Sequence, residues 1–198
     1  MAFLNQNYVI IDFETANSNP DSICQIGMLK VSNGKIIDTY NKLVKPQPLY
    51  FSSMNTSIHG IKSSDVKNAL TFLELWNEIL DFIDNNILIA HFAQFDMNCL
   101  CKTLKKDNQT FSLSFTCSCR LAKELIIAPN HKLTYLSENI TNFEYQAHDA
   151  LEDCYATYEL ISFLFKNYDI ANLINSKFEY GKIDHINGYK GFVYKKNR

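Results

Sequence analysis

The hydrophobic positions of this chain fall into short runs, alternations and helical spacings, and each pattern predicts an element. Tyr8-Val9-Ile10-Ile11 is a continuous apolar run, the mark of a strand covered on both faces. It leads into Asp12-Phe13-Glu14. Residues two apart on a strand share a face, so Asp12 and Glu14 stand side by side while Phe13 turns away. Ile23 to Val31 predicts a second strand, Asn33-Gly34 a two-residue hairpin turn, and Ile36 to Val44 the returning third strand. Pro46 and Pro48 end it, and residues 51–64 predict a loop. Apolar residues at 69, 70, 72, 73, 75, 76, 79, 80 and 83 give a helix-like spacing over Ala69 to Ile83. Ile87-Leu88-Ile89-Ala90 is a short buried strand, and Gln94 to Lys105 a helix. Phe111 to Thr116 predicts a further strand, with short helices at Cys119–Ile127 and Leu133–Glu138. Asp149 to Phe165 is a long helix, with Asp149 as N-cap and Glu152 three residues on, a capping box. A three-stranded meander followed by alternating helices and strands predicts an α/β fold, a mixed sheet flanked by helices.

Composition narrows the picture. The 198 residues suit one domain with a full core. Hydrophobic residues at 46% and charged residues at 20% exclude wholesale disorder. A net charge of −2 excludes a large basic surface, so any nucleic-acid contact is expected to be local. No apolar stretch is long enough to span a bilayer, and the N-terminus lacks the basic region of a signal peptide. The six cysteines include Cys99-x-Cys101 and Cys117-x-Cys119, which is not the usual zinc-ligand spacing. Reduced thiols and a cytoplasmic setting are the expectation. Composition changes near residue 176. From Lys177 onward six basic residues face two acidic ones, and Asn187-Gly188 suits a second hairpin turn. The expected boundaries are therefore a domain at 1–176 and a basic, glycine-containing tail at 177–198.

Asp12 and Glu14 carry the first chemical signal. Two carboxylates at the tip of a buried strand repel each other and lose hydration; a cation relieves both, and hard oxygen ligands suit Mg²⁺ or Mn²⁺. The bland alternative is an acidic, solvated turn. Asp96 opens a helix after the buried strand at 87–90, where open α/β sheets place ligands, although acids favour helix starts in any case. The same holds for Asp153. His148 precedes the helix cap, and with His148 in the loop its imidazole is free to swing toward the site that Asp153 lines. His59, His91 and His131 are the kind of histidines that structural hydrogen bonds account for. Lys132, Lys123 and Arg120 either line a phosphate path or are solvated surface.

Together, Asp12-x-Glu14, Ala90-His91-x-x-x-Phe95-Asp96 and His148-x-Ala150-x-x-Asp153 resemble the three motifs of the DEDDh exonuclease family, which includes proofreading subunits of bacterial replicative polymerases and ribonuclease T. The resemblance runs from about Tyr8 to Leu164, and Ile58-His59-Gly60-Ile61 is similar to a segment of the polymerase-subunit branch. It implies a ribonuclease H-like fold with a mixed five-stranded sheet. It also implies two divalent cations, Mg²⁺ or Mn²⁺, on Asp12, Glu14, Asp96 and Asp153, with His148 as general base. Phe13, Thr15 and His59 would contact the terminal nucleotide. The implied activity is 3′→5′ hydrolysis of DNA to nucleoside 5′-monophosphates, in proofreading or repair, with a polymerase or other replication protein as partner. RNA hydrolysis by the same chemistry and a non-catalytic nucleic-acid scaffold are the alternatives. An aspartyl phosphatase fits less well, because Glu14 stands where its second Asp belongs. The family's second motif usually has Asn where this chain has Phe92, which bears on substrate placement.

Overall fold

The computed structural model describes residues 7–105, 112–168 and 181–184. Strands β1 (Tyr8–Thr15), β2 (Ile23–Ser32) and β3 (Lys35–Leu43) form the antiparallel meander. Helices α1 (Ser53–His59), α2 (Ser63–Val66) and α3 (Phe72–Ile83) follow. Strand β4 (Ile87–Ala90), helix α4 (Gln94–Lys105) and strand β5 (Ser112–Cys117) come next. Then come α5 (Ser118–Leu125), α6 (Leu133–Leu136) and α7 (Ala150–Asn167), with a π-helical turn Ser137–Thr141 after α6. The sheet order is β3-β2-β1-β4-β5-β6, where β6 is Gly181–Asp184. β4 and β5 run parallel to β1, so the sheet is mixed, as the meander followed by buried short strands predicts. The five expected strands are all present, and β6 adds a sixth, antiparallel to β5. The hairpin expected at Asn187-Gly188 lies outside the described residues.

The central position of β1 follows from its apolar run. Val9, Ile11 and Phe13 enter one core with α3 and α4, beside Trp76, Met97 and Leu100. Tyr8 and Ile10 enter the other, beneath α5 and α7, with Leu121, Leu160 and Leu164. Asp12 and Glu14 extend the second stripe past its apolar end.

The loop expected at 51–64 is instead two short helices. Ser52 caps α1 by accepting the Asn55 N–H, and Gly60 closes it in the left-handed conformation, φ 77°. α1 buries none of its residues, so no apolar periodicity announces it. α3 begins at Phe72 rather than Ala69, because Thr71 and Glu74 form a reciprocal capping box there. On α7, Asp149 accepts the N–H groups of Leu151 and Glu152, but Glu152 does not return a bond to the cap. Among the described residues, no helix is long and apolar enough to cross a membrane.

Candidate active site

The site stands where β1 ends, and three backbone features assemble it. The first is a β-bulge. Glu14 pairs with Gln25 and Thr15 with Ile23, leaving Cys24 as the extra residue on β2. Bulges re-aim side chains beside functional sites. The second is Gly27, which sits opposite Asp12. A Cβ on Gly27 would run into the backbone of Ala150, so only glycine lets α7 start directly on the sheet. Cys154, buried one turn into α7, donates its thiol to the Gly27 carbonyl at 3.2 Å. The third is Gln25. Its amide donates to Asp149 Oδ2 at 3.0 Å and accepts the Ala150 N–H at 3.3 Å, which ties the start of α7 to β2.

This framework brings Asp153 over Asp12 and Glu14. Asp96 arrives from the first turn of α4, and its Oδ1 accepts the Phe13 N–H at 3.2 Å. Asp96 is 1% exposed and Asp153 9%. His148 occupies a turn with φ 67°, off the helix. Its N–H donates to Asp153 Oδ2 at 2.8 Å. The imidazole is exposed, and its ligand nitrogen lies with carboxylate oxygens of Glu14 and Asp153, all within 4.8 Å of one another.

Four carboxylates gathered this way strain one another's ionisation. Burial, then Asp96, Asp153 and Glu14, push Asp12 far above the usual carboxylate range. Burial and then Asp153 raise Glu14 to about 8. Burial raises Asp96 to about 8 against the Phe13 N–H, which holds it down. Asp153 is raised by burial, partly offset by the His148 N–H. The charges acting on Asp12 are carboxylates alone. Such a donor set, hard oxygens that repel one another with His148 acting against the repulsion at Asp153, fits a divalent cation of the Mg²⁺ or Mn²⁺ type.

The remaining candidates separate clearly. Phe13 is 2% exposed, and its ring packs edge-on against Phe72 with centroids 5.9 Å apart. Alternation along β1 turns its ring into the core, and its N–H is given to Asp96. Thr15 is buried, its carbonyl accepting Asn55 Nδ2 at 2.9 Å and His59 Nε2–H at 3.2 Å. His59 Nδ1 in turn accepts the Ile61 N–H. Both ring nitrogens of His59 therefore hold the α1 end against β1, and burial, its largest perturbation, lowers its pKa. His91 is held in the same manner, by Ser118 Oγ and by the His131 carbonyl at 2.9 Å each. Burial lowers it to about 4, so it is neutral near pH 7. His131 Nε2–H donates to the Ile126 carbonyl. All six cysteines are buried and unpaired.

Sequence reasoning missed Gln25, Gly27, Asn55 and Tyr145. A glycine in mid-strand is a readable signal of close backbone approach. The polar Gln25 in an apolar strand is another. Tyr145 carries no such mark; its hydroxyl is buried beside Asp153, which, after burial itself, raises its pKa.

Residues 9–161 match the family model described as Exonuclease, of the RNase T type. The PolC-type DNA polymerase III of Thermotoga petrophila is 31% identical over 159 residues, which are 79% of this chain and 12% of that protein. The chain thus spans about an eighth of such a relative. Exonuclease X in complex with 5′-overhanging duplex DNA superposes with a TM-score of 0.65 at 23% identity, covering 81% of this chain and 92% of that one. The nuclease domain of a DEDDh-family 3′-exonuclease bound to rAMP superposes at 0.71 with 18% identity, covering 82% and 93%. With residues 9–161 matched to its model, the chain belongs to the exonuclease family, hydrolases of the phosphodiester bond.

Proposed function

We propose that this chain is a metal-dependent 3′→5′ exonuclease that removes nucleotides from the 3′ end of DNA as nucleoside 5′-monophosphates. The observation that carries the proposal is the meeting of half-buried Asp12 and Glu14 with buried Asp96 and Asp153, carboxylates that raise one another's pKa, beside the exposed imidazole of His148. Asp12, Glu14, Asp96 and Asp153 would hold two divalent cations, Mg²⁺ or Mn²⁺. Bound there, such ions would supply electrostatic stabilisation for the oxygens of an in-line displacement.

The protein's own residues do the rest. His148, hinged on a turn and pinned through its N–H to Asp153, takes the proton of the attacking water as general base. Asp96 and the Phe13 N–H fix each other, which holds the floor of the site rigid. Thr15, braced by Asn55 and His59, offers a fixed edge for the terminal nucleotide. In this reading His59 positions Thr15 and does not itself touch substrate.

Similarity to a PolC-type polymerase favours DNA and a replicative setting, proofreading or repair, with a polymerase as partner. The rival is RNA, by the same chemistry, because discrimination rests on contacts to the 2′-OH. The test is product analysis on matched 3′-labelled DNA and RNA oligonucleotides, with Mg²⁺ and with EDTA, for the wild type and Asp12→Ala. Mg²⁺-dependent release of deoxynucleoside monophosphates by the wild type alone is expected. Equal release by Asp12→Ala overturns the assignment, and faster release from RNA reassigns the substrate.

A further inference from the structure

Phe92, like Phe95, is an exposed aromatic residue near the site, but its backbone is unusual. Its backbone is left-handed, φ 64°, a conformation that suits Gly, Asn or Asp and costs a bulky residue about 1–2 kcal/mol. Core packing does not account for the ring, since the residue is 58% exposed. It lies on the rim of a cleft of about 540 Å³ that opens from His148 and Asp153 and is walled by Lys123 and Lys132. Both lysines are exposed, on the α5 helix and at the cap of α6. The cleft takes none of its lining from α1 or Thr15. A terminal nucleotide seated at Thr15 therefore leaves the cleft to the nucleotides that precede it.

We propose that Phe92 is a stacking platform for an unpaired base upstream of the scissile phosphate, with Lys123 and Lys132 holding the adjoining phosphates. The substrate class is then a strand that is single at its 3′ end, since a base stacked between neighbours within a duplex has no free face for the ring. An exposed aromatic beside cations is the arrangement by which proteins grip single strands without reading sequence. The exposed Phe92 lines the cleft, where an Asn side chain would offer no aromatic face for stacking. This inference rests on the nuclease reading above and adds to it where the strand runs and which form of it is accepted.

The test compares wild type, Phe92→Ala and Phe92→Asn, the latter a residue at ease with positive φ. Three substrates separate the possibilities: a single-stranded oligodeoxynucleotide, the same strand with abasic sites upstream of its 3′ nucleotide, and the p-nitrophenyl ester of thymidine 5′-monophosphate. We expect KM for the intact strand to rise roughly 5- to 150-fold in both variants, the range of one lost base–aromatic stack. The abasic strand should bring the wild type to the level of the variants. The ester, which has no upstream base, should be hydrolysed equally by all three. An unchanged KM in both variants overturns the proposal, as does an equal loss on the ester. A wild type inert toward strand and ester alike indicts the nuclease reading instead. Fluorescence anisotropy with the same labelled strand then decides the stacking separately, and equal affinity of all three proteins refutes it.

Discussion

Gly27→Ala is the sharpest probe of how this site is built, because it touches no carboxylate. The new Cβ would lie 2.5 Å from Leu151 N and nearer still to Ala150. Ordinary contacts need about 3.5 Å, so the start of α7 must retreat by roughly 1 Å. Overpacking of this kind costs about 1–3 kcal/mol, or roughly 2–12 °C in Tm for a chain of this size. The same retreat carries Asp153, and His148 bonded to it, away from Asp12 and Glu14. A displacement near 1 Å at a reacting centre lowers turnover by about 10²-fold. Circular dichroism melts and initial rates on a 3′-labelled oligonucleotide at 20 °C, well inside the folded range, read the two effects separately. A variant with wild-type turnover and wild-type Tm would show that α7 does not depend on the glycine, and the account of the site's assembly would fail.

Other outcomes follow from the same geometry. Asp96→Asn keeps an acceptor for the Phe13 N–H but removes one of four repelling charges. It should abolish nuclease activity yet raise Tm in EDTA at pH 8, by about 2–4 °C for each kcal/mol of repulsion relieved; a lower Tm contradicts this. His148→Ala should lower turnover about 10²–10⁴-fold while Mn²⁺ binding, followed by calorimetry, persists; near-full activity at neutral pH would reassign the base. Glu14 and Asp96, raised to about 8 in the fold, bind protons there that the unfolded chain has already released. In EDTA, stability conferred by these groups is therefore present below their unfolded pKa values and is lost as pH rises through about 8. His91, lowered to about 4, works at the other end and loses stability as pH falls below its ordinary value. Melts in EDTA should fall from pH 6.5 to 8.5, and millimolar Mg²⁺ or Mn²⁺ should cancel the fall; a Tm that rises over that range refutes the sign.

Much of this was readable along the chain, and the reasons differ by element. β1 and α3 announce themselves because their apolar spacing is dense and their neighbours are distinct. The pairing of Asp12 with Glu14 on one face, and of Phe13 on the other, follows from the two-residue period alone. α1 escaped because it buries nothing, so its Ser52 and Gly60 caps were the only trace. The role of Gly27 was legible in kind, as a glycine within a strand, but not its partner, since Ala150 lies more than a hundred residues away. For Phe13 the family resemblance implies a substrate contact, while strand alternation turns its ring inward. Tyr145 could not have been found, because nothing local marks a hydroxyl that meets Asp153 only in the folded chain.

The division of β1 between its two faces has a genetic consequence. Substitutions at Val9, Ile11 or Phe13 should behave as temperature-sensitive lesions, whose defect cooling or a compensating core change can rescue. Those at Asp12 or Glu14 should yield abundant, well-folded and inert protein that no temperature revives. From Ile11 to Glu14 the strand would thus sort its alleles into two phenotypic classes by the parity of the position.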